Sequence, residues 1–145
     1  MKPIVTWIVL ANANHAHIVV NSGLGKGLKS VAGTRMEAKP PVEFSDRAGV
    51  GHSSAGPGIS AVNQGDPSEQ AEIAFATHIC SKIEAAHNDG SFGRLLLVSG
   101  PHMLGLLRKT LSKKLQATIT AEIPKDLASL PIPKLVDHLS DVMVL

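Results

Sequence analysis

The stretch IVTWIVLANANHAHIVV, residues 4–20, decides whether the chain opens with a folded hairpin or with a leader that is cut away. An apolar run at residues 4–10 follows a single basic residue, Lys2, as in a signal peptide. Ala11-Asn12-Ala13 resembles the small-residue site at which a signal peptide is cleaved. However, β-branched residues dominate both this run and a second run at 17–20, and the turn-forming Asn-Ala-Asn-His lies between them. A signal peptide explains only the first run. We therefore predict two strands of a hairpin.

The composition limits the classes of protein to which the chain can belong. Its 145 residues suit one domain, 1–145, with one core. Three Phe, one Trp and no Tyr leave few rings for stacking on bases, so a nucleic acid would be contacted mainly through its backbone. Cys80 is the only cysteine, which excludes an intrachain disulfide and a multi-cysteine zinc site and fits a reducing, cytoplasmic location. After residue 20 no uncharged run approaches the ~20 apolar residues of a membrane span, so we expect no membrane insertion.

The net charge of +2 is distributed unevenly along the chain. Residues 1–36 contain no acid, and residues 92–121 contain five basic residues and again no acid. Between them, residues 66–89 carry five acids against Lys82 alone. Charge by itself favours ordinary solvated faces over a binding patch for such blocks.

Turn residues and hydrophobic spacing predict the element order βββαβαβα. A third strand is expected near residues 28–31 or 35–38, and residues 39–66 have the Gly/Pro/Ser composition of a long irregular loop. A loop of this length in a small domain is usually either functional or disordered. A helix follows, because Asp66 suits the N-cap, Pro67 the first helical position and Glu69 the capping box. Its apolar face comprises Phe75, Ile79, Ile83 and Ala86, and Asn88-Asp89-Gly90 ends it.

The second half of the chain alternates strands and helices. RLLLVSG is a short buried strand, and Gly100-Pro101 begins a helix with Leu104, Leu107, Leu111 and Leu115 on one face. ATITAEI is a last strand and PIPKLVDHL a last helix, with Ile132, Leu135, Val136 and Leu139 pointing inward. The order predicts an α/β fold with a mixed five-stranded sheet and flanking helices, as in the ribonuclease-H-like architecture.

Familiar catalytic patterns are incomplete in this sequence. A ribonuclease-H-like nuclease needs a carboxylate on the first strand to hold its metal ions, and the first acid of the chain is Glu37. GLGKG at 23–27 fails the phosphate-loop pattern, and Ser99 lacks the flanking glycines of a nucleophile elbow. We therefore expect neither an enzyme nor a nucleotide cofactor, and we interpret Ser99 as a structural turn residue.

The histidines and the cysteine do not form a metal-ligand pattern. His15 and His17 share one side of an extended segment without a neighbouring acid. His78 and Cys80 point about 200° apart on a helix and cannot chelate one ion. We expect no metal site, and we expect Cys80 to be a small core residue.

Four longer stretches carry the strongest signal in the sequence: FSDRAG at 44–49, EIAFATHI at 72–79, GRLLLVSGPHMLGLLRKTLSKKL at 93–115 and EIPKDLASLPIPKLVDHL at 122–139. The most specific pieces are Leu104-Gly105-x-x-Arg108 and Lys125-Asp126-Leu127. Together they resemble the bacterial family of host attachment proteins over nearly the full chain. That family is grouped with bacterial and archaeal relatives of class I peptide release factors.

The resemblance implies this α/β plan and a limited set of functions. In release factors the loop before the long helix carries Gly-Gly-Gln and reaches the peptidyl-transferase centre. The matching loop here contains Asn63-Gln64-Gly65 and no Gly-Gly-Gln, so peptidyl-tRNA hydrolysis is not implied. Asn14-His15-Ala16-His17 replaces the Gly and Arg typical of the first hairpin, and Val50 stands where the family usually has Arg. Both departures remove basic charge.

We accordingly predict a non-enzymatic, cytoplasmic, release-factor-like protein that binds ribosomal RNA or tRNA through the loop at 44–66 and the helix at 101–115. The candidate RNA contacts are Arg47, Gln64, Arg108, Lys109, Lys113 and Lys114. A net charge of +2 is low for a ribosome ligand. The alternative is a protein-interaction or regulatory factor for attachment to host cells, acting through protein partners or as a homo-oligomer, with no nucleic-acid partner. A small hydrolase using Ser99 ranks third, because no base can be assigned to it.

Overall fold

The opening hairpin forms the centre of the sheet. In the computed structural model, which describes residues 4–40 and 66–145, strand β1 (Thr6–Ala11) pairs antiparallel with β2 (His15–Asn21). Asn12 closes the turn, because its Oδ1 accepts hydrogen bonds from the N–H groups of Asn14 and His15, at 2.8 Å each. Every residue of β1 is buried. The predicted hairpin is confirmed.

The remaining strands extend the sheet on both sides of this hairpin. Strands β3 (Lys29–Ser30) and β4 (Met36–Glu37) both pair antiparallel with β2. A strand therefore forms in each of the two segments, 28–31 and 35–38, that were predicted as alternatives for the third strand. On the other side, β5 (Arg94–Ser99) runs parallel to β1, and β6 (Ile119–Ile123) runs parallel to β5. The order is β3-β2-β1-β5-β6, with β4 also on β2. Within residues 4–40 and 66–145 the mixed sheet therefore has six strands, where five were predicted for the chain.

Helix α1 (Pro67–Asn88) has the predicted bounds. Oδ1 of Asp66 accepts hydrogen bonds from the N–H groups of Ser68 at 2.9 Å and Glu69 at 3.4 Å, which supplies partners for two free donors of the first turn. At the other end Gly90 adopts a φ of +78°, a conformation that glycine reaches without steric cost. Phe75, Ile79 and Ile83 are buried against the sheet, as their spacing predicts.

The helix predicted to run on to Leu115 is interrupted, and this corrects the sequence analysis. Helix α2 (Pro101–Thr110) ends because Leu111 is extended, with φ −66° and ψ 144°. Oγ of Ser112 then accepts a hydrogen bond from the N–H of Leu115 at 3.3 Å and caps a separate short helix, α3 (Lys113–Gln116). All four predicted inward leucines are nevertheless buried: Leu104, Leu107, Leu111 and Leu115.

The sheet divides the interior into two hydrophobic clusters, where the composition suggested one core. Helices α1 and α2 cover one face, which receives Trp7 and Val9 from β1. Helix α4 (Ile132–Leu139) covers the other face, which receives Ile8 and Leu10. Because side chains alternate along a strand, one wholly buried β1 supplies both clusters. This arrangement places the start of α2 at the edge where β1, β5 and β6 end.

Candidate functional site

The exposed lysines at the end of α2 and in α3 form the first candidate site. Lys109 lies in the last turn of α2, and Lys113 and Lys114 begin α3. All three are exposed, and none takes part in an ion pair of the described residues. We call these three lysines the basic end. Within the described residues, no carboxylate therefore competes with an anionic partner for their ammonium groups.

Arg108, predicted to belong with these lysines, is engaged inside the molecule. Its Nε donates to Oε2 of Glu122 at 2.9 Å, and its Nη2 donates to Oε1 of the same carboxylate. These hydrogen bonds raise the pKa of Arg108 and lower the pKa of Glu122, because each charge stabilises the other. Arg108 thus ties α2 to β6. Glu122 was not predicted as a partner of Arg108. A helix that connects two neighbouring parallel strands packs beside the second strand, and this brings charged residues of the helix close to those of that strand.

Further contacts fix the position of the basic end. The Nε2 amide of Gln116 donates to the carbonyl oxygens of Arg108 at 2.8 Å and Leu111 at 2.9 Å. These are carbonyls that the end of α2 leaves without helical partners. On the other side, the N–H of Ser112 donates to Oε2 of Glu84 on α1, at 3.3 Å. The backbone that carries the three lysines is therefore held by α1 and by its own side chains.

A cleft of about 750 Å³ is the second candidate site. It lies between the hairpin turn, the segment around β4 and the first turns of α1. Its lining includes two cations, Arg35 and Lys39, and two carboxylates, Glu37 and Glu72. Because these charges balance, the described lining of the cleft does not offer the excess of positive charge that favours an anionic polymer.

The first turns of α1 and α2 meet beside this cleft. Nε2 of His102 lies 3.1 Å from Oε2 of Glu69 and 3.2 Å from Oε2 of Glu72. Lys109 follows His102 by seven residues, about 10 Å further along the helix axis. The described ends of the long loop, Pro40 and Asp66, belong to the cleft side. The loop stems therefore lie near the start of α2 and the basic end lies at its other end.

Two of the six predicted RNA contacts, Arg47 and Gln64, lie outside the described residues, as does most of the predicted loop at 39–66. Of the other four, the structure brings Arg108, Lys109, Lys113 and Lys114 together at one end of α2. Three are exposed and without ion-pair partners in the described ranges, and Arg108 is paired.

The residues considered for catalysis and metal binding have structural contacts. The hydroxyl of Ser99 is fully buried and donates to the carbonyl oxygen of Ala11 at 2.9 Å, so it joins β5 to β1. Nε2 of His17 donates to the carbonyl oxygen of Ala128 at 2.9 Å. Burial raises the pKa of the Cys80 thiol to about 12, as expected of a core cysteine. Within residues 4–40 and 66–145 no group of three His, Cys, Asp or Glu side chains is placed to hold a metal ion.

The comparisons with known proteins agree with this architecture. The family model described as "Protein required for attachment to host cells" matches residues 7–139. Among solved structures, an archaeal translation termination factor, aRF1, is similar with a TM-score of 0.52 at 10% sequence identity. The match covers 96% of this chain and 35% of the archaeal chain, so this chain corresponds to about a third of that protein. The similarity shows a shared fold.

No curated protein sequence is significantly similar to the chain. Among the described residues, no helix combines the length and the apolar character needed to cross a membrane.

Proposed function

The chain belongs to the family of proteins required for attachment to host cells, and we propose that it is a non-enzymatic, cytoplasmic protein that binds ribosomal RNA or tRNA through the basic end. The observation that carries this proposal is the exposure of Lys109, Lys113 and Lys114 without carboxylate partners in the described ranges. Each lysine that neutralises a phosphate releases condensed counterions, and this release drives binding to RNA.

Arg108 shows why pairing matters for this assignment. A guanidinium that donates two hydrogen bonds to one carboxylate must give them up before it can contact a phosphate. The lysines of the basic end face no such competition from the ion pairs described. We therefore assign phosphate contacts to the three lysines and a positioning role to Arg108.

The fold supports an RNA partner over other anions. The similar archaeal protein is a translation termination factor, and the sequence resembles the relatives of class I release factors. This chain lacks Gly-Gly-Gln, and the buried hydroxyl of Ser99 is not free to attack a substrate. Binding without hydrolysis is the function that these features favour. The few aromatic residues fit contacts to the RNA backbone better than stacking on bases.

The test is a titration of labelled bulk tRNA and a co-sedimentation with purified bacterial ribosomes, both between about 50 and 200 mM salt. The charge-reversal pair Lys109→Glu and Lys113→Glu should weaken binding and reduce the slope of log affinity against log salt by about 1 for each phosphate that is no longer neutralised. The matched control is Lys134→Glu, compared with the single variant Lys109→Glu so that both change the net charge by the same amount; Lys134 is also exposed but lies on α4, across the sheet. Lys134→Glu should change binding little.

Two results would contradict the proposal. If the wild-type protein binds neither probe at low salt, the RNA-binding function is wrong, and the alternative of a factor that acts through protein contacts replaces it. If the wild type binds and the charge-reversal pair binds equally well, RNA is contacted elsewhere. Equal weakening in Lys109→Glu and in Lys134→Glu would indicate only a general effect of net charge, and would also contradict the proposal.

A further inference from the structure

Helix α2 carries a glycine in its interior that the described part of the fold does not require. Gly105 is flanked by helical residues on both sides within Pro101–Thr110. A Cβ built at this position meets no described atom within 4 Å, so no close packing excludes a side chain. The φ of Gly105 is not positive, so the backbone does not need glycine either. Glycine weakens a helix interior relative to alanine, and within the described residues nothing compensates for this cost.

Gly105 lies on the side of α2 that faces away from the core. The buried residues Met103, Leu104 and Leu107 form the inward side of the helix. At 100° per residue, Gly105 lies on the opposite side, between Arg108 and Lys109, which follow three and four residues later. The glycine is therefore a gap in the outward surface of α2, with one cation on each side of it.

The two flanking cations differ in what they can do. Hydrogen bonds to Glu122 hold the side chain of Arg108 in position on one side of the gap. The same pairing neutralises the carboxylate of Glu122, which would otherwise repel an anion. Lys109 is exposed on the other side and has no ion-pair partner in the part of the chain described.

We propose that Gly105 is the point at which the sugar-phosphate backbone of the bound RNA approaches α2 most closely, with Lys109 neutralising the phosphate beside it. The missing side chain allows an approach closer by about 1.5 Å, the length of a carbon–carbon bond in the chain. The RNA strand then continues past the end of α2 towards Lys113 and Lys114. This inference rests on the proposed function and adds the place on α2 at which the RNA backbone binds.

The variant Gly105→Ala tests this inference, because it adds one methyl group and changes no charge. We expect its thermal unfolding temperature to rise, since alanine favours the helix and the added Cβ occupies open space. We expect its affinity for labelled bulk tRNA to fall roughly fivefold, because the added methyl group holds the sugar-phosphate backbone away from the helix and from Lys109. The salt slope should stay unchanged, since the number of lysines is the same. Gly105→Gln should weaken binding further.

Ser81→Ala is the matched control. Ser81 is exposed in the interior of α1, where alanine also favours the helix, and its hydroxyl donates only to the His78 carbonyl oxygen one turn earlier. This variant should not weaken tRNA binding, so it separates a local steric effect from a general effect of a more stable helix.

The outcomes distinguish a failure of the close approach at Gly105 from a failure of the RNA-binding function. If the wild type binds tRNA and Gly105→Ala binds equally well, the close approach at Gly105 is wrong and the RNA-binding function stands. If Gly105→Ala unfolds at a lower temperature than the wild type, the fold itself requires the glycine and the inference is also wrong. If the wild type does not bind RNA, both proposals fail together.

Discussion

Replacing Leu127 by alanine should destabilise the fold without affecting RNA binding. Leu127 lies in the loop between β6 and α4 and is only 6% exposed, because it enters the hydrophobic cluster under α4. The loop is attached to the hairpin by polar contacts: Nδ2 of Asn12 donates to both oxygens of Asp126 at 3.4 Å, and His17 donates to the Ala128 carbonyl. Leu127 is thus the apolar anchor of the loop.

The expected size of the effect follows from this position. A buried leucine replaced by alanine costs about 2–5 kcal/mol, and the cost is smallest where the surroundings can collapse into the space. Since Leu127 stands on a loop at the border of the smaller cluster, we expect about 2–3 kcal/mol. A domain with roughly 5–15 kcal/mol of stability tolerates this change and stays folded.

Urea unfolding followed by the fluorescence of Trp7 measures this change. Trp7 is the only tryptophan and stacks on Phe92 at 5.0 Å between ring centroids, in the cluster across the sheet from Leu127. Its signal therefore reports unfolding of the whole sheet. With a slope of about 2 kcal/mol per molar urea, the midpoint should fall by about 1 M. A midpoint within about 0.2 M of the wild type, or a folded variant that no longer binds tRNA, would refute the structural role given to this residue.

Three smaller changes test other parts of the structure. Asp66→Ala should lower the free energy of unfolding by about 1 kcal/mol in urea titrations, because two N–H groups of α1 lose their cap, whereas Asp66→Asn should have a smaller effect. Burial lowers the pKa of His17, so as the pH falls the unfolded chain binds the proton at a higher pH than the folded chain does. The free energy of unfolding should therefore fall as the pH drops below about 6.5, and level off below the pKa of His17 in the folded state. Unfolding measured against pH should show this dependence in the wild type and not in His17→Gln. With a pKa raised to about 12, Cys80 should resist alkylation in native protein at mildly alkaline pH and react once the chain is unfolded.

The fold was largely predictable, because local signals and tertiary packing agree. The β-branched runs of the hairpin became β1 and β2, and the cap at Asp66 and the glycine at 90 gave the true bounds of α1. The break after α2 could not be predicted from the leucine spacing. Leu111 and Leu115 keep the same inward direction whether the helix continues or restarts at Ser112, so hydrophobic periodicity carries no sign of the interruption.

The candidate site was only partly predictable, because an ion pair between a helix and a strand is not visible in a linear sequence. The basic residues near the end of α2 were identified by their charge, yet Arg108 pairs with Glu122, 14 residues later on strand β6. Charge density therefore overstates the number of free cations at this end of the molecule. The RNA-contact role of the three lysines stays a prediction.

The residues by which the sequence resembles its family separate into two groups once their contacts are known. Leu104 and Leu127 are buried, Arg108 pairs with Glu122, and an oxygen of Asp126 accepts a hydrogen bond from the N–H of Ala128 at 3.2 Å. These contacts join α2 and the loop after β6 to the sheet, so they account for these four motif residues, whereas Lys125 is exposed. Gly105 belongs to the same motif and has no such contact among the described residues. Within the described residues, a glycine that weakens its own helix and makes no packing contact is consistent with the proposed approach of an RNA backbone beside Lys109.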